Sequence, residues 1–366
     1  MQQSFSFKQQ TWQRLKKNKG AMFGLFIIVI AVLVAIFGYL IAPDNSPNAD
    51  FQTVEIQAKK LGYTQQFLKI EERKYWEGSW IDHFLNGKKK HYQLIPISGY
   101  KVKGDTLFIE KFIDDDTSVV QFFSINNITN NQPHLLTQKN IVTKKYWLGT
   151  DKFGRDILSR LIIGTRVSLA VGLIAVIIAL SIGIILGALA GYFKGKTDAV
   201  IMWLVNVTWS IPTLLLVFAI TIALGKGFWQ IFIAVGLTMW VPVARLVRGQ
   251  VLAIKELEYI TAAKALGFTN IRIIVRHILP NIMGPVLVLA ASTFATAIIV
   301  EAGLSFLGIG VQPPQPSWGL MIKENYNFII TNNPFLALIP GIAIMLLVLV
   351  FNLLGNGLRD AVDVKN

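Results

Sequence analysis

A six-span, all-α polytopic membrane protein carrying one small extracytoplasmic α+β or β insert is the fold class this sequence predicts, on three observations. The 366 residues are 53% hydrophobic and 15% charged, with a mean hydropathy of +0.51, against about 25% charged residues in a soluble domain. Six stretches, 21–42, 167–193, 199–225, 227–244, 278–300 and 335–355, contain no Asp, Glu, Lys, Arg or His. Each is close to or above the roughly 20 helical residues that a hydrocarbon core requires. One long polar segment, 43–145, separates the first two. Lipid forces every span to be helical, because its backbone groups must be satisfied within the segment.

The elements follow in order. Residues 1–20 form a basic tail with Lys8, Arg14, Lys16, Lys17 and Lys19, and 21–42 is the first transmembrane helix. Its length exceeds the apolar core of a signal peptide, about 7–15 residues, so it reads as a retained anchor. The insert 43–145 opens on the break Pro43-Asp44-Asn45-Ser46-Pro47-Asn48. Residues 54–75 are polar and suit a helix, whereas 91–97, 100–103, 106–113 and 118–125 read as strands. Gly104-Asp105 is a two-residue hairpin signal. A loosely folded loop is the alternative for the insert, and Asn127-Ile128-Thr129 matches a glycosylation sequon. The remainder, 146–366, holds five spans and a polar loop, 245–279.

Charge placement sets the topology. The N-terminal tail, the 194–198 turn, the 245–277 loop and the C-terminal tail together carry 15 basic and 5 acidic residues. An even number of spans puts these segments on one side, which the positive-inside rule makes the cytoplasm, with both termini there. The net charge of +14 therefore records topology and calls for no nucleic acid. Trp12, Trp147, Trp229, Trp240 and Trp318 lie near span ends, as an aromatic belt does.

Cysteine is absent, which excludes disulfides, thiolate metal sites and a Cys nucleophile. Only four histidines exist, His83, His91, His134 and His277, so a His-built metal site is not expected, while carboxylate sites stay open. An intramembrane enzyme needs a base or ligands at membrane depth, and the spans hold no His or Asp. Ala190–Thr197 nearly spells a phosphate-binding loop. That loop requires a preceding strand, and here the preceding element is a membrane helix.

Small residues Gly172, Ala175, Ala179, Gly183, Gly187 and Gly191 form one stripe on the second span, where close helix packing is expected. Pro212 in Trp209-Ser-Ile-Pro-Thr213 kinks the third span. Ser292 and Thr296 share a face of the fifth, and either line a path or pack. Glu301 lies at its outer end, where a solvated, structural or gating role is open. Asp156 and Arg160, at i, i+4, suggest a pair on a short outer-surface helix. Residues 251–266 are good helix formers, Gly267 suits a C-terminal cap, and Ala262, Ala263 and Gly267 give that helix a small-residue face suited to a groove on another protein.

Thr261-Ala-Ala-Lys-Ala-Leu-Gly267, followed by His277-Ile-Leu-Pro280, resembles the E-A-A-x3-G-x9-I-x-L-P loop of ABC importer permeases, with Thr261 in place of Glu and His277 in place of Ile. Arg14–Gly24, Trp147–Asp156, Gly164–Leu169, Glu301–Gly319 and Asn352–Asp360 are similar to the C-type subunit of the dipeptide/oligopeptide/nickel branch. Asn206 and Asn356 stand where that branch carries Asp. The resemblance implies a type I importer permease fold, alternating access, and a role as transmembrane permease subunit for short peptides, with a nickel chelate or another small solute as alternatives. A membrane-anchored scaffold displaying 43–145 is the remaining reading.

It further implies a homologous second permease subunit, two cytoplasmic ABC ATPase subunits, an extracytoplasmic substrate-binding protein, and a place in the bacterial cytoplasmic (inner) membrane. This chain then binds no cofactor, with ATP and Mg on the ATPase subunits. The ATPase-coupling residues are expected to be Glu258, Thr261, Ala262, Ala263, Gly267 and Pro280. The translocation path or gate is assigned to Pro212, Ser292, Thr296 and Glu301.

Overall fold

Residues 7–71, 79–125, 128, 140–225, 227–330 and 333–362 are described in this computed structural model. Asn127 and Thr129 of the sequon, His134, and Lys365 of the C-terminal tail lie outside them. Two compact units divide the chain. One comprises Met1–Val32, Val167–Gln312 and Ile342–Asn366, the other Leu33–Arg166 and Pro313–Gly341.

The helices are α1 (Phe7–Lys17), α2 (Lys19–Ile41), α3 (Trp80–Asn86), α4 (Ile157–Phe193), α5 (Gly195–Ser210), α6 (Thr213–Leu224), α7 (Phe228–Thr238), α8 (Trp240–Lys255), α9 (Glu258–Ala265), α10 (Asn270–Ile273), α11 (Leu279–Phe306), α12 (Trp318–Asn325) and α13 (Phe335–Val362). Among the described residues, five helical runs, Lys19–Ile41, Ile157–Phe193, Phe228–Lys255, Asn270–Phe306 and Phe335–Val362, are long and apolar enough to cross a membrane. The expected third span is a broken pair. Helices α5 and α6 meet at 94° across Ile211-Pro212, a sharper feature than the kink expected. Pro212 has no N–H to offer the helix before it, and its extended backbone starts α6 afresh. Several helices outrun the apolar stretches. The helix containing the second span begins at Ile157, ten residues before the apolar run, because a helix need not end where lipid does.

The first unit is a helical core. Val171, Ala175 and Ala179 of α4 pack with Phe232 and Val235 of α7 and Ala297 of α11. Gly183, Gly187 and Gly191 of the α4 stripe let α8 approach, while Gly172 faces Phe294 of α11. A Cβ on Gly187 would lie 2.5 Å from the Ala244 carbonyl, and one on Gly183 would lie 2.5 Å from the Val243 side chain. Lipid offers no hydrophobic driving force between helices, so such close contact carries the packing energy.

The second unit contains a five-stranded antiparallel sheet ordered β4-β3-β2-β1-β5, from β1 (Tyr63–Glu71), β2 (Tyr92–Lys103), β3 (Thr106–Phe112), β4 (Ser118–Ser124) and β5 (Ile141–Tyr146). The hairpin at Gly104-Asp105 forms, with Lys103 opposite Thr106 and Gly104 at φ +59. The two runs 91–97 and 100–103 are one strand, with a register shift between Ile97 and Gly99. The helix expected over 54–75 is absent from its described part. A short 3-10 turn at Val54–Ile56 gives way to β1, which pairs on both sides and so gains a ladder that no isolated helix supplies. Strand β5 went unread, because its charged Lys144-Lys145 masks the alternation. Leu68, Ile95, Ile97, Leu107 and Ile109 pack in one core cluster; Phe67, Leu94, Phe112 and Tyr146 pack in another with Ile56.

Trp12, Trp147 and Trp229 are exposed, but Trp240 and Trp318 are buried. Trp318 fits against Gly164 and donates its indole N–H to the Leu161 carbonyl at 3.0 Å.

Candidate functional site

Three places hold the residues singled out by sequence. The first is the turn between α8 and α11. Helix α8 runs on to Lys255, so the expected 251–266 helix is two helices parted at Glu256-Leu257. Glu258 stands in the first turn of α9, where a carboxylate favours the positive helix end. The other end carries a full Schellman closure. Phe268 N–H donates to the Ala263 carbonyl at 3.1 Å and Gly267 N–H to the Lys264 carbonyl at 2.9 Å, with Gly267 at φ +78. Gly is the residue that takes this left-handed position without strain.

The two faces of α9 differ. Ile260 and Ala263 are buried with Val247 and Val251 of α8 and Ile273 and Ile278 beyond. Burying Ile260 stabilises the hairpin by about 1.5–3 kcal/mol. Glu258, Thr261, Ala262 and Gly267 are exposed, as are Leu257 and Leu266, the latter at 73%. Ala263 therefore faces inward, contrary to the expectation that its small side chain meets a partner. At i+3 from Ile260 it shares the inner stripe. Tyr192 Oη donates to Asn270 at 2.8 Å, Lys255 Nζ to the Tyr192 carbonyl at 2.6 Å, and Asn281 Nδ2 to Tyr259 Oη at 3.2 Å. The first two bonds tie α4 to α10 and to α8, and the third ties α9 to α11. Pro280 is exposed and lies in the first turn of α11, where its missing N–H costs nothing. A π-turn at Ile274–Ile278 precedes it.

The second place is a cleft at the α5–α6 break. A cavity of about 220 Å³ is lined by Trp209, Ile211, Thr213, Pro242, Ser292 and Thr296 among others. Ser292 and Thr296 thus face one space flanked by Pro212. Their hydroxyls donate to the Leu289 and Ser292 carbonyls, each at 2.9 Å. A second cavity of about 440 Å³ shares Pro242, Leu289 and Ser292 with the first and continues to Gln250 and Arg359. Beside the cleft, Arg245 stacks 3.5 Å over Trp209 and donates to Asn206 at 2.8 Å. Its neighbour Arg248 is neutralised by Asp198 at 2.6 Å. Glu301 does not join this cleft. It is 1% exposed and accepts from Ser305 Oγ at 2.6 Å, while Ser305 Oγ accepts from Val311 N–H at 2.9 Å. It pins the turn that follows α11 rather than standing in solvent.

The third place is a buried charge network in the second unit. Arg155 donates to Asp151 at 2.6 Å, Asp50 at 3.0 Å and Glu324 at 2.6 Å. Arg160 lies 3.3 Å from Glu324. The expected Asp156/Arg160 surface pair does not form. Asp156 instead caps α4, accepting from Ser159 N–H at 2.9 Å, and the i, i+4 pair is Asp151/Arg155. Both arginines are buried. Burial works against the Arg155 charge, but Asp151 and Glu324 outweigh it and raise the guanidinium pKa above its ordinary value. Partners so distant in sequence left no local signal for this network.

Comparison with known proteins follows this geometry. Residues 183–365 match the family described as binding-protein-dependent transport system inner membrane component, and residues 6–55 match the N-terminal TM domain of oligopeptide transport permease C. The dipeptide transport system permease protein DppC of Bacillus subtilis is 32% identical over 99% of this chain and 87% of its own length. The oligopeptide transport system permease protein OppC of the same organism is 40% identical over 63% of this chain and 76% of its own. The glutathione transport system permease protein GsiD of Pectobacterium atrosepticum is 44% identical over 60% of this chain and 73% of its own. This chain is a multi-pass membrane protein and a transport subunit rather than an enzyme, and it belongs to the family of binding-protein-dependent transport system inner membrane components, in the peptide branch of ABC importer permeases.

Proposed function

We propose that this chain is the permease subunit through which an ATP-driven importer moves short peptides across a bacterial inner membrane. The observation that carries the reading is the cleft at the Pro212 break. It is polar at Ser292 and Thr296, continues toward Arg359, and lies open on one chain. A second, homologous permease closes it into a path. The exposed face of α9, with Glu258, Thr261, Ala262 and Leu266, seats on a cytoplasmic ATPase, one of two in the complex. Nucleotide and Mg bind those subunits, and this chain binds no cofactor. Both termini lie in the cytoplasm and 43–145 outside, where a substrate-binding protein delivers the peptide. The names of the relatives, dipeptide, oligopeptide and glutathione permeases, support the substrate class.

The switch between inward and outward openings draws on nucleotide binding that favours one state of the ATPase pair. The test is uptake into proteoliposomes holding the complex purified with this chain, supplied with its binding protein and a labelled dialanine. Accumulation that requires internal ATP is expected. ATP-driven accumulation of another solute, with none of dialanine or longer peptides, overturns the substrate assignment.

A further inference from the structure

The sheet of the second unit ends in two edges of unlike chemistry. One is β5, which carries Lys144 and Lys145. Charged side chains of this kind keep an edge from pairing with another chain. The other is β4, Ser118-Val119-Val120-Gln121-Phe122-Phe123-Ser124. It has no charge, no Pro and no bulge against β3. Among the described residues no strand pairs with its outer side. Val119, Val120 and Phe122 are 51%, 66% and 75% exposed, so apolar side chains and a row of backbone groups meet solvent together.

The register identifies those groups. Ile125 N–H donates to the Asp105 carbonyl at 2.9 Å, and Ile113 N–H donates to the Thr117 carbonyl at 3.1 Å. Counting back by twos along the regular β3–β4 pairing, the amides of Val119, Gln121 and Phe123 point into the sheet. Those of Ser118, Val120, Phe122 and Ser124 then point to the outer edge.

The strand reads as a mirror about Gln121: Ser, two apolar residues, Gln, two apolar residues, Ser. An antiparallel copy centred there sets Val120 against Phe122, Val119 against Phe123 and Ser118 against Ser124. It also brings the outward amides of each copy to carbonyls of the other. Sliding by two residues sets a serine against Val120 or Phe122, and Gln121 against an apolar residue, so the register is specified. The strand is uncharged, so a second copy brings no like charge against it.

We propose that β4 pairs with β4 of a second copy of this chain about a two-fold axis at Gln121. The two five-stranded sheets become one continuous sheet. Seven paired residues run about 24 Å along an edge about 10 Å thick. That strip falls short of the roughly 1,000 Å² of a stable interface, so the pairing is weak and reversible, and a covalent trap suits it. It does not depend on which solute the permease carries.

The chain has no cysteine, so one introduced thiol reports on one position. The axis sets residue 121 opposite itself in a non-hydrogen-bonded pair, with Cα atoms about 4.5 Å apart, within reach of a disulfide. Residue 119 lies opposite 123, about 14 Å along the strand from its own counterpart. The full complex carrying Gln121→Cys or Val119→Cys is oxidised in detergent with copper phenanthroline and run on a non-reducing gel. Gln121→Cys is expected to form a disulfide-linked dimer of this chain about tenfold or more faster than Val119→Cys, although Val119 is the more exposed residue. Val120→Pro removes an outward amide and leaves the β3 ladder whole. Added to Gln121→Cys, it is expected to slow dimer formation about tenfold; an unchanged rate overturns the backbone pairing. Should Val120→Pro fail to fold, the comparison of the two single-cysteine variants stands without it. Monomer only from both leaves the edge to solvent or to an extended peptide, and equal rates mark random collision; either result overturns the proposal.

Discussion

Arg155 reaches Glu324, 169 positions along the chain, with an Nη2 to Oε2 distance of 2.6 Å, and holds Asp151 at the same distance through Nε. One guanidinium therefore clasps the segment before α4 to helix α12. Planar geometry lets it serve three carboxylates at once, which an ammonium does not reproduce. Arg155→Ala leaves those carboxylates only the longer contacts of Arg160, at 3.3–3.7 Å, and loss of a cation from a buried ion pair costs up to about 3–5 kcal/mol. Arg155→Lys is expected to recover only part of it. Thermal unfolding of the purified protein checks this, and an unchanged midpoint for Arg155→Ala would show the network to be dispensable.

Close approach of α4 and α8 supplies a second prediction. Gly187→Ala places a methyl group 2.5 Å from the Ala244 carbonyl, so backbone must shift, at a cost of about 1–3 kcal/mol. Gly249, also helical, has open space where its Cβ would be. Gly249→Ala is expected to be neutral or slightly stabilising through helix propensity. Detergent-resistance half-lives of the two variants should diverge; equal half-lives contradict the packing assignment.

Lys144 gives a pH dependence. Burial, then the nearby charge of Lys90, lowers its pKa from 10.5 to about 8. Below about pH 8 the ammonium is charged in folded and unfolded chains alike, and the fold bears its desolvation. Between about 8 and 10.5 the unfolded chain holds the extra proton, so stability contributed at this residue rises with pH. Unfolding midpoints of wild type and Lys144→Met, compared across that window, should converge as pH rises, with Lys144→Met the more stable at pH 7. A constant difference would place Lys144 in a solvated setting.

The spans were legible because lipid enforces a composition, and the Gly267 cap because a left-handed backbone position selects Gly. Pro212 marked its break but not the 94° angle, which depends on packing around it. Which side of α9 faces outward was misread at Ala263, since a small residue suits an inner stripe as well as an interface. The role of Glu301 stayed open in the sequence because its partners, Ser305 and Val311, lie beyond the apolar run that located it. The charge network was invisible, because long-range closure brings it together.

The absence of cysteine from the chain permits a direct test of how force enters it. Single variants Ala262→Cys and Leu266→Cys on the outer face of α9, and Ala263→Cys on the inner face, are treated with a short bifunctional thiol reagent in membranes containing the complete transporter. The account predicts covalent adducts between the two outer-face cysteines and the ATPase subunit, changing in yield when ATP is added, and none from Ala263→Cys. Adducts absent at both outer positions, with the complex intact, would contradict the assignment of α9 as the element that couples ATP hydrolysis to transport.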